Sequence, residues 1–273
     1  MEIKCWICKD IANSAEHKFK ASDIKRHFGK KFGNGNPIIY KSGDIEANLD
    51  NYKSKELKFE KIICTKCNNI RTKPHDDAYD KFADYIGNNE SSIFDSKQLD
   101  FKNIYGENWN EGKLNLYKYY SKHAGCKIVT NATSYEINNL SEFILGNENL
   151  NTLTLQFQFK EGMKYLNDYF LGNFANLYNG GLVIFGKRDK NLNFASWCSY
   201  QAISVNWVVS KEIEKINLPD FNSQIEPVEI LYFQDCPDIG EGSDDILERI
   251  EQHRFLNIED QVDYFKKLLR ESD

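Results

Sequence analysis

Two pairs of cysteines at Cys-x-x-Cys spacing, Cys5/Cys8 and Cys64/Cys67, restrict this chain more than any other feature. Four thiolates in two tight knuckles satisfy one tetrahedral Zn²⁺, and a closed Cys₄ shell leaves no position for water or substrate. The metal so held is structural. It must draw the first residues of the chain against a segment about 55 residues further on. A dithiol redox site needs only one pair. The remaining cysteines, Cys126, Cys198 and Cys236, are scattered and read as small buried hydrophobes.

The rest of the chain is typical of a packed protein. Of 273 residues, 41% are hydrophobic and 14% aromatic, which excludes a disordered chain. The net charge is −6, but residues 1–75 hold 16 Lys and Arg against 9 Asp and Glu, a local balance of +7, and the remainder carries −13. A basic front on an acidic body suits local phosphate binding better than binding through whole-molecule charge. No basic start followed by an apolar stretch marks a signal peptide, and no apolar run is long enough to span a bilayer. A cytoplasmic protein without membrane contact is expected.

Hydrophobic periodicity predicts a short helix from Ser22, as its cap, to Phe28, then a Gly/Asn/Lys-rich loop over 29–36. Strands are expected at Pro37–Tyr40 and Leu57–Ile63. A helix should begin within the second cysteine pair, with Pro74 interrupting or restarting it, and should run through Ala78, Phe82 and Tyr85. The turn-forming run Gly87–Ser92 marks a soft boundary between residues 1–86 and 87–273. Beyond it, helices are predicted over Lys113–Val129, Ser141–Leu145, Met163–Tyr178 and Asp244–Leu269. Strands are predicted at Thr152–Phe159, Gly180–Phe185, Trp197–Val209 and Val228–Phe233. The fold class is α+β, with a largely antiparallel sheet in the back half. That half contains no chemical motif. Its Trp197, Tyr200, Trp207 and Phe233 suit core packing or a recognition surface, and His123 and His253 read as structural.

Between the knuckles lies Glu16-His17, and the second knuckle is followed at once by Asn68-Asn69. Cys-x-x-Cys, Glu-His, then Cys-x-x-Cys-Asn resembles a zinc-containing HNH, or ββα-metal, endonuclease domain. The stretch Cys67-Asn-Asn-Ile-Arg-Thr-Lys-Pro-His-Asp-Asp-Ala-Tyr79 is similar to a variant with Cys-Asn-Asn, Arg-Thr, a Pro and an Asp. The likeness covers about 80 residues. It implies a β-hairpin and helix around one divalent ion, Mg²⁺ or Mn²⁺, held by Glu16 and Asn68, with His17 as general base. His75 and Asp76 are secondary candidates, and Asn48 and Asn51 compete for the middle Asn of the motif. Asn68 also suits a simple helix cap.

The chemistry asks for these residue types independently. A neutral imidazole can take a proton from the water that attacks a phosphodiester, and a hard cation on oxygen ligands can neutralise the leaving oxygen. As strand neighbours, Glu16 and His17 would point to opposite faces unless the strand ends or bends there. Lys18, Lys20, Lys25, Arg26, Lys30, Lys31, Arg71 and Lys73 are candidate phosphate contacts. The expectation is thus a metal-dependent endonuclease acting on nucleic acid, DNA foremost, of the kind found in bacterial defence or mobile elements. Residues 87–273 would select substrate, form a homodimer or bind a protein partner. The competing expectation is a zinc-stabilised nucleic-acid-binding protein without catalysis.

Overall fold

The computed structural model describes residues 2–31, 38–42, 45–132, 137–147, 152–160, 177–187, 190–210, 228–229 and 231–233. The fold mixes helix and sheet, as the α+β reading expected.

The front begins with a knuckle. Lys4 and Ile11 form an antiparallel bridge. Between them Lys9 turns with φ 66°, donating to the Cys5 carbonyl at 2.8 Å. The chain then forms an irregular two-stranded ribbon: Ser14 pairs with Ile63 and His17 with Lys58, both antiparallel. A regular strand over Leu57–Ile63 does not form. Lys55–Leu57 is a 3₁₀ turn and the pairing is reduced to isolated bridges. Two elements are inserted between the arms of this ribbon: helix α1 (Ala21–Phe28), and the hairpin of β1 (Ile38–Ser42) and β2 (Ile45–Leu49). Ser22 does not cap α1. The cap position is Lys20, and the Ser22 hydroxyl instead donates to Asp80 at 2.6 Å.

After the ribbon, Cys67–Arg71 forms a π-helical turn, and α2 (Lys73–Ser96) restarts with Pro74 in its first turn. Proline is tolerated there because the N–H it lacks has no partner inside the helix. The turn-rich joint expected at 87–92 is not a joint. It lies inside α2, whose buried Ile86, Glu90 and Ile93 continue the inward stripe set by Ala78, Tyr79, Phe82 and Ala83. The loop signal survives only as a kink at Asn89, whose side-chain amide donates to the Tyr85 carbonyl at 2.8 Å.

Two residues of β3 (Gln98–Leu99) and a short α3 (Phe101–Tyr105) lead to α4 (Trp109–Asn131). Every residue of α4 from Leu116 to Ile128 is buried, including Lys118, Lys122 and Lys127, so α4 is covered on all sides. Helix α5 (Asn138–Leu145) packs beside it.

The main sheet contains β4 (Leu153–Lys160), β5 (Leu177–Asn179), β6 (Val183–Lys187), β7 (Lys190–Tyr200) and β8 (Ile203–Val209). The order β4-β8-β7-β5 is antiparallel throughout, and β6 also pairs with β7. The single strand expected over 197–209 is two, folded back at Gln201, which takes φ 51°. In β4, Leu153, Leu155, Phe157 and Phe159 alternate inward as predicted. The end of the helix expected over 163–178 is instead β5; residues 163–176 lie outside the described residues, as do the 244–269 helix and His253. β9 (Val228–Glu229) pairs antiparallel with β3, and β10 (Leu231–Phe233) runs parallel to β4 at the sheet edge.

One apolar cluster contains Cys5, Trp6 and Ile63 together with Phe82, Leu116, Phe157 and Trp207. Residues on either side of the expected boundary at 86/87 therefore share a core. Phe157 carries much of the packing of helix on sheet, with ring centroids 5.8 Å from Phe82 and 5.9 Å from Phe101.

Candidate metal centre and the Glu16–His17 corner

The ribbon brings the two cysteine pairs together. All four sulfurs of Cys5, Cys8, Cys64 and Cys67 lie within 4.8 Å of one another, with Cys8 and Cys64 at 3.5 Å. A tetrahedral zinc at ~2.3 Å from each sulfur demands sulfur–sulfur edges of about 3.8 Å. The four sulfurs therefore fit such an ion. Two further donors favour the thiolate form: the Cys67 N–H reaches Cys64 Sγ, and Arg71 Nη1 reaches Cys67 Sγ, each at 3.4 Å. Without an ion, burial raises the Cys8 and Cys67 thiols, whereas at Cys64 the Cys67 N–H and the neighbouring thiols outweigh burial and lower the pKa. Among the described residues this is the one group of three or more Cys, His, Asp or Glu side chains able to converge on a metal.

Glu16 and His17 lie in the first arm of the ribbon, where the Glu16 carbonyl accepts the Phe59 N–H at 2.9 Å. The Glu16 side chain folds back: its Oε1 accepts the His17 N–H at 3.1 Å. Asn68, in the π-helical turn, donates its amide to Ser14 Oγ at 3.0 Å and to the Ala15 carbonyl at 3.4 Å. Helix and ribbon are thus stitched together one residue before Glu16. His17 Nδ1 is buried and has no hydrogen-bond partner. Burial first, then the charges of Lys58, Lys20, Lys122 and Lys25, depress the His17 pKa to about 4. The imidazole is therefore neutral at physiological pH and sits in a field of lysines.

Sequence reasoning missed the residue at the centre of this corner. Lys122 of α4, with 1% of its side chain exposed, places Nζ 2.9 Å from Glu16 Oε2, and 2.9 and 3.0 Å from the two oxygens of Asp76. The Thr72 hydroxyl lies 3.3 Å away. Asp76 also accepts from Lys20 at 2.7 Å. Burial pulls the Lys122 pKa down, but Glu16 and Asp76 overcome it and leave it raised. In keeping with this, Asp76 is lowered by Lys122 and Lys20 against its own burial. A lysine in a helical pattern reads as a solvated charge. The only textual sign here was that aromatic and apolar residues surround it on every side of α4.

The oxygen-bound divalent ion expected at Glu16 and Asn68 does not fit these donors as arranged. Both Glu16 oxygens and both Asp76 oxygens are engaged, and Asn68 turns its NH₂ group inward. His75 is buried, its pKa depressed to about 4 by burial and by Lys118 and Lys122, and its Nδ1 has no partner. Asn48 is exposed on β2, opposite Ile39, and the Asn51 carbonyl oxygen of the side chain caps a turn by accepting the Lys53 N–H at 2.8 Å. Neither Asn is drawn into the corner by any contact among the described residues.

The candidate phosphate contacts are largely engaged within the chain. Lys18 donates to Tyr40 Oη and the Glu56 carbonyl, both at 3.0 Å; Lys25 lies 5.1 Å above the Tyr52 ring. Arg26 pairs with Asp23 at 2.6 Å and Asp84 at 2.7 Å, and Lys73 with Asp77 at 2.8 Å. Trp207 and Tyr200 are buried, as core packing required, whereas Trp197 is half-buried. Cys126 is fully buried and Cys198 partly so. No described helix is long and apolar enough to cross a membrane. Comparison with family models, curated proteins and solved structures finds nothing that matches this chain.

Proposed function

We propose that this chain hydrolyses nucleic-acid phosphodiester bonds, DNA foremost, with a Cys₄ zinc as scaffold and His17 as general base. The observation that carries the reading is His17 itself: a neutral imidazole, surrounded by lysines, on an antiparallel ribbon stitched by Asn68 to the turn that follows the second knuckle. In this reading water attacks phosphorus, its proton passes to the His17 ring, the bond to the 3′ oxygen breaks, and that oxygen takes a proton from solvent, leaving a 3′ hydroxyl and a 5′ phosphate. Lys25 and Lys58, whose charges act on the His17 ring, offset the phosphate charge. Zinc supplies no step, because its shell is filled by sulfur. No step is assigned to Mg²⁺ or Mn²⁺, since the carboxylates expected to hold such an ion are already paired.

The zinc-stabilised binder without catalysis is the second reading. It is favoured by Glu16, whose two carboxylate oxygens are taken by Lys122 and by the His17 N–H and so are not turned to any reacting group. Supercoiled plasmid separates the two. Incubated with Mg²⁺, with Mn²⁺ and with no added divalent ion, it should be nicked by the native protein. His17→Ala, with unchanged circular dichroism, should be slower by about 10²-fold or more. Plasmid that stays intact in all three conditions, yet is retarded on a gel, rejects hydrolysis and leaves binding.

A further inference from the structure

We infer that the Lys122 ammonium is the resident cation of the Glu16–Asp76 corner, holding on Glu16 the place that the HNH-like reading gives to a divalent metal ion. The inference deepens the hydrolase reading, since it concerns the same corner, but its geometry is independent of catalysis. Nζ lies among four oxygens: Glu16 Oε2, both carboxylate oxygens of Asp76, and Thr72 Oγ1, at 2.9 to 3.3 Å. These come from three separate parts of the chain: the ribbon, the residue before α2, and the first turn of α2. The tethered charge thus does what an oxygen-bound metal does in a hairpin–helix site: it holds the acid of the Glu-His pair against the head of the helix.

The remaining lone pairs are used in a way that suits a tethered cation and not a free one. Glu16 Oε1 is turned to the His17 N–H, and Asp76 shares Oδ1 with Lys20. Two lysines and two carboxylates leave the corner neutral overall. A divalent ion binding these two carboxylates alongside Lys122 would meet a like charge held 2.9 Å from both Glu16 Oε2 and Asp76 Oδ1. Lys122 is accordingly a positioning residue: it fixes Glu16, and through the Glu16 carboxylate the His17 backbone. It does not itself contact substrate, because its side chain is buried.

Zinc-loaded protein titrated with MnCl₂ provides the test, followed by electron paramagnetic resonance of free Mn²⁺ and by thermal melting. Native protein should bind no Mn²⁺ at millimolar concentration through Glu16, so its melting temperature should match that of Glu16→Gln in its lack of response. Lys122→Ala should gain one Mn²⁺ site and recover about 5 °C or more of melting temperature on saturation. The double variant Lys122→Ala/Glu16→Gln should lose that gain. Lys122→Arg, which keeps the charge, should bind no Mn²⁺. A Mn²⁺ site in the native protein that disappears with Glu16→Gln would overturn the inference, as would a folded Lys122→Ala indifferent to Mn²⁺. If Lys122→Ala does not fold, the native titration alone decides. The two proposals also fail separately: plasmid nicking that requires Mg²⁺, bound through Glu16, sinks this inference and leaves the hydrolase. Uncut plasmid with the expected Mn²⁺ behaviour does the reverse.

Discussion

At the scale of single residues, this chain buries charge and imidazole freely, and gives each a local reason. His123 is wholly enclosed: one ring nitrogen faces the Lys18 carbonyl at 2.9 Å, and the ring lies edge-on to Phe59. Burial drives its pKa down to about 3. In the unfolded chain the same group titrates near ~6.5. The unfolded state therefore binds a proton that the folded state refuses, and stability falls as pH drops from about 6.5 towards 3. His123→Gln keeps a donor for the Lys18 carbonyl and removes the titration. Unfolding free energies from urea titrations between pH 6.5 and 4 should then decline less steeply, by about 1.4 kcal/mol per pH unit. An unchanged slope would mean that His123 takes up a proton while still folded. Such residues show what was legible in the text and what was not. Cys5, Cys8, Cys64, Cys67, Glu16 and His17 stand out because type and spacing together are rare. Lys122 does not, because its role comes from two carboxylates 106 and 46 residues away, and no local pattern encodes that.

Among elements, the knuckles, the ribbon and the first turns of the second helix form a unit whose backbone pairing is thin: isolated bridges, a 3₁₀ turn and a π-helical turn. Regular hydrogen bonding is sparse there, so a zinc ion in the sulfur shell would carry a large share of its stability. Cys64→Ser should bring the bound zinc, measured by atomic absorption, from one equivalent per chain towards none. It should also lower the melting temperature by 10 °C or so. A variant that melts like the native protein would show the shell to be dispensable. Periodicity read β4 and the first half of α2 well, because each presents a face that must be buried; it placed α4 too, although that helix is buried all round. It failed where tertiary contacts override local preference. Gly87 and Asn88 stay helical and Asn89 only kinks the helix, because Ile86, Glu90 and Ile93 on either side are buried and Glu90 accepts the Ala202 N–H at 3.0 Å. The strand expected over 197–209 gave no sign of its reversal, since Gln201 rather than glycine takes the positive φ.

For the molecule as a whole, α4 is the element on which both halves meet. From it Lys122 reaches the ribbon, Gly125 admits Trp6 of the first knuckle, and Lys127 reaches the sheet through Asn179, Gly180 and Ser196. The Trp6 approach is close: a Cβ on Gly125 would stand 2.2 Å from Cη2 of the indole. Gly125→Ala should therefore lower unfolding free energy by about 1–3 kcal/mol or more, although alanine favours helix. The loss should be accompanied by a shift in tryptophan fluorescence. A gain in stability would place Trp6 elsewhere. The same architecture governs how the chain reaches this state. Cys8 and Cys64 lie 56 positions apart, and the arms of the ribbon frame an inserted helix and hairpin. Without metal, the ends of that long loop must meet through packing alone, before much contact energy has accumulated. A zinc ion captured by one pair and then the other would tie the loop early. Such an ion would set the pace of assembly as well as its endpoint, and a chain emerging where zinc is scarce should stay open, its aromatic core unguarded, for longer.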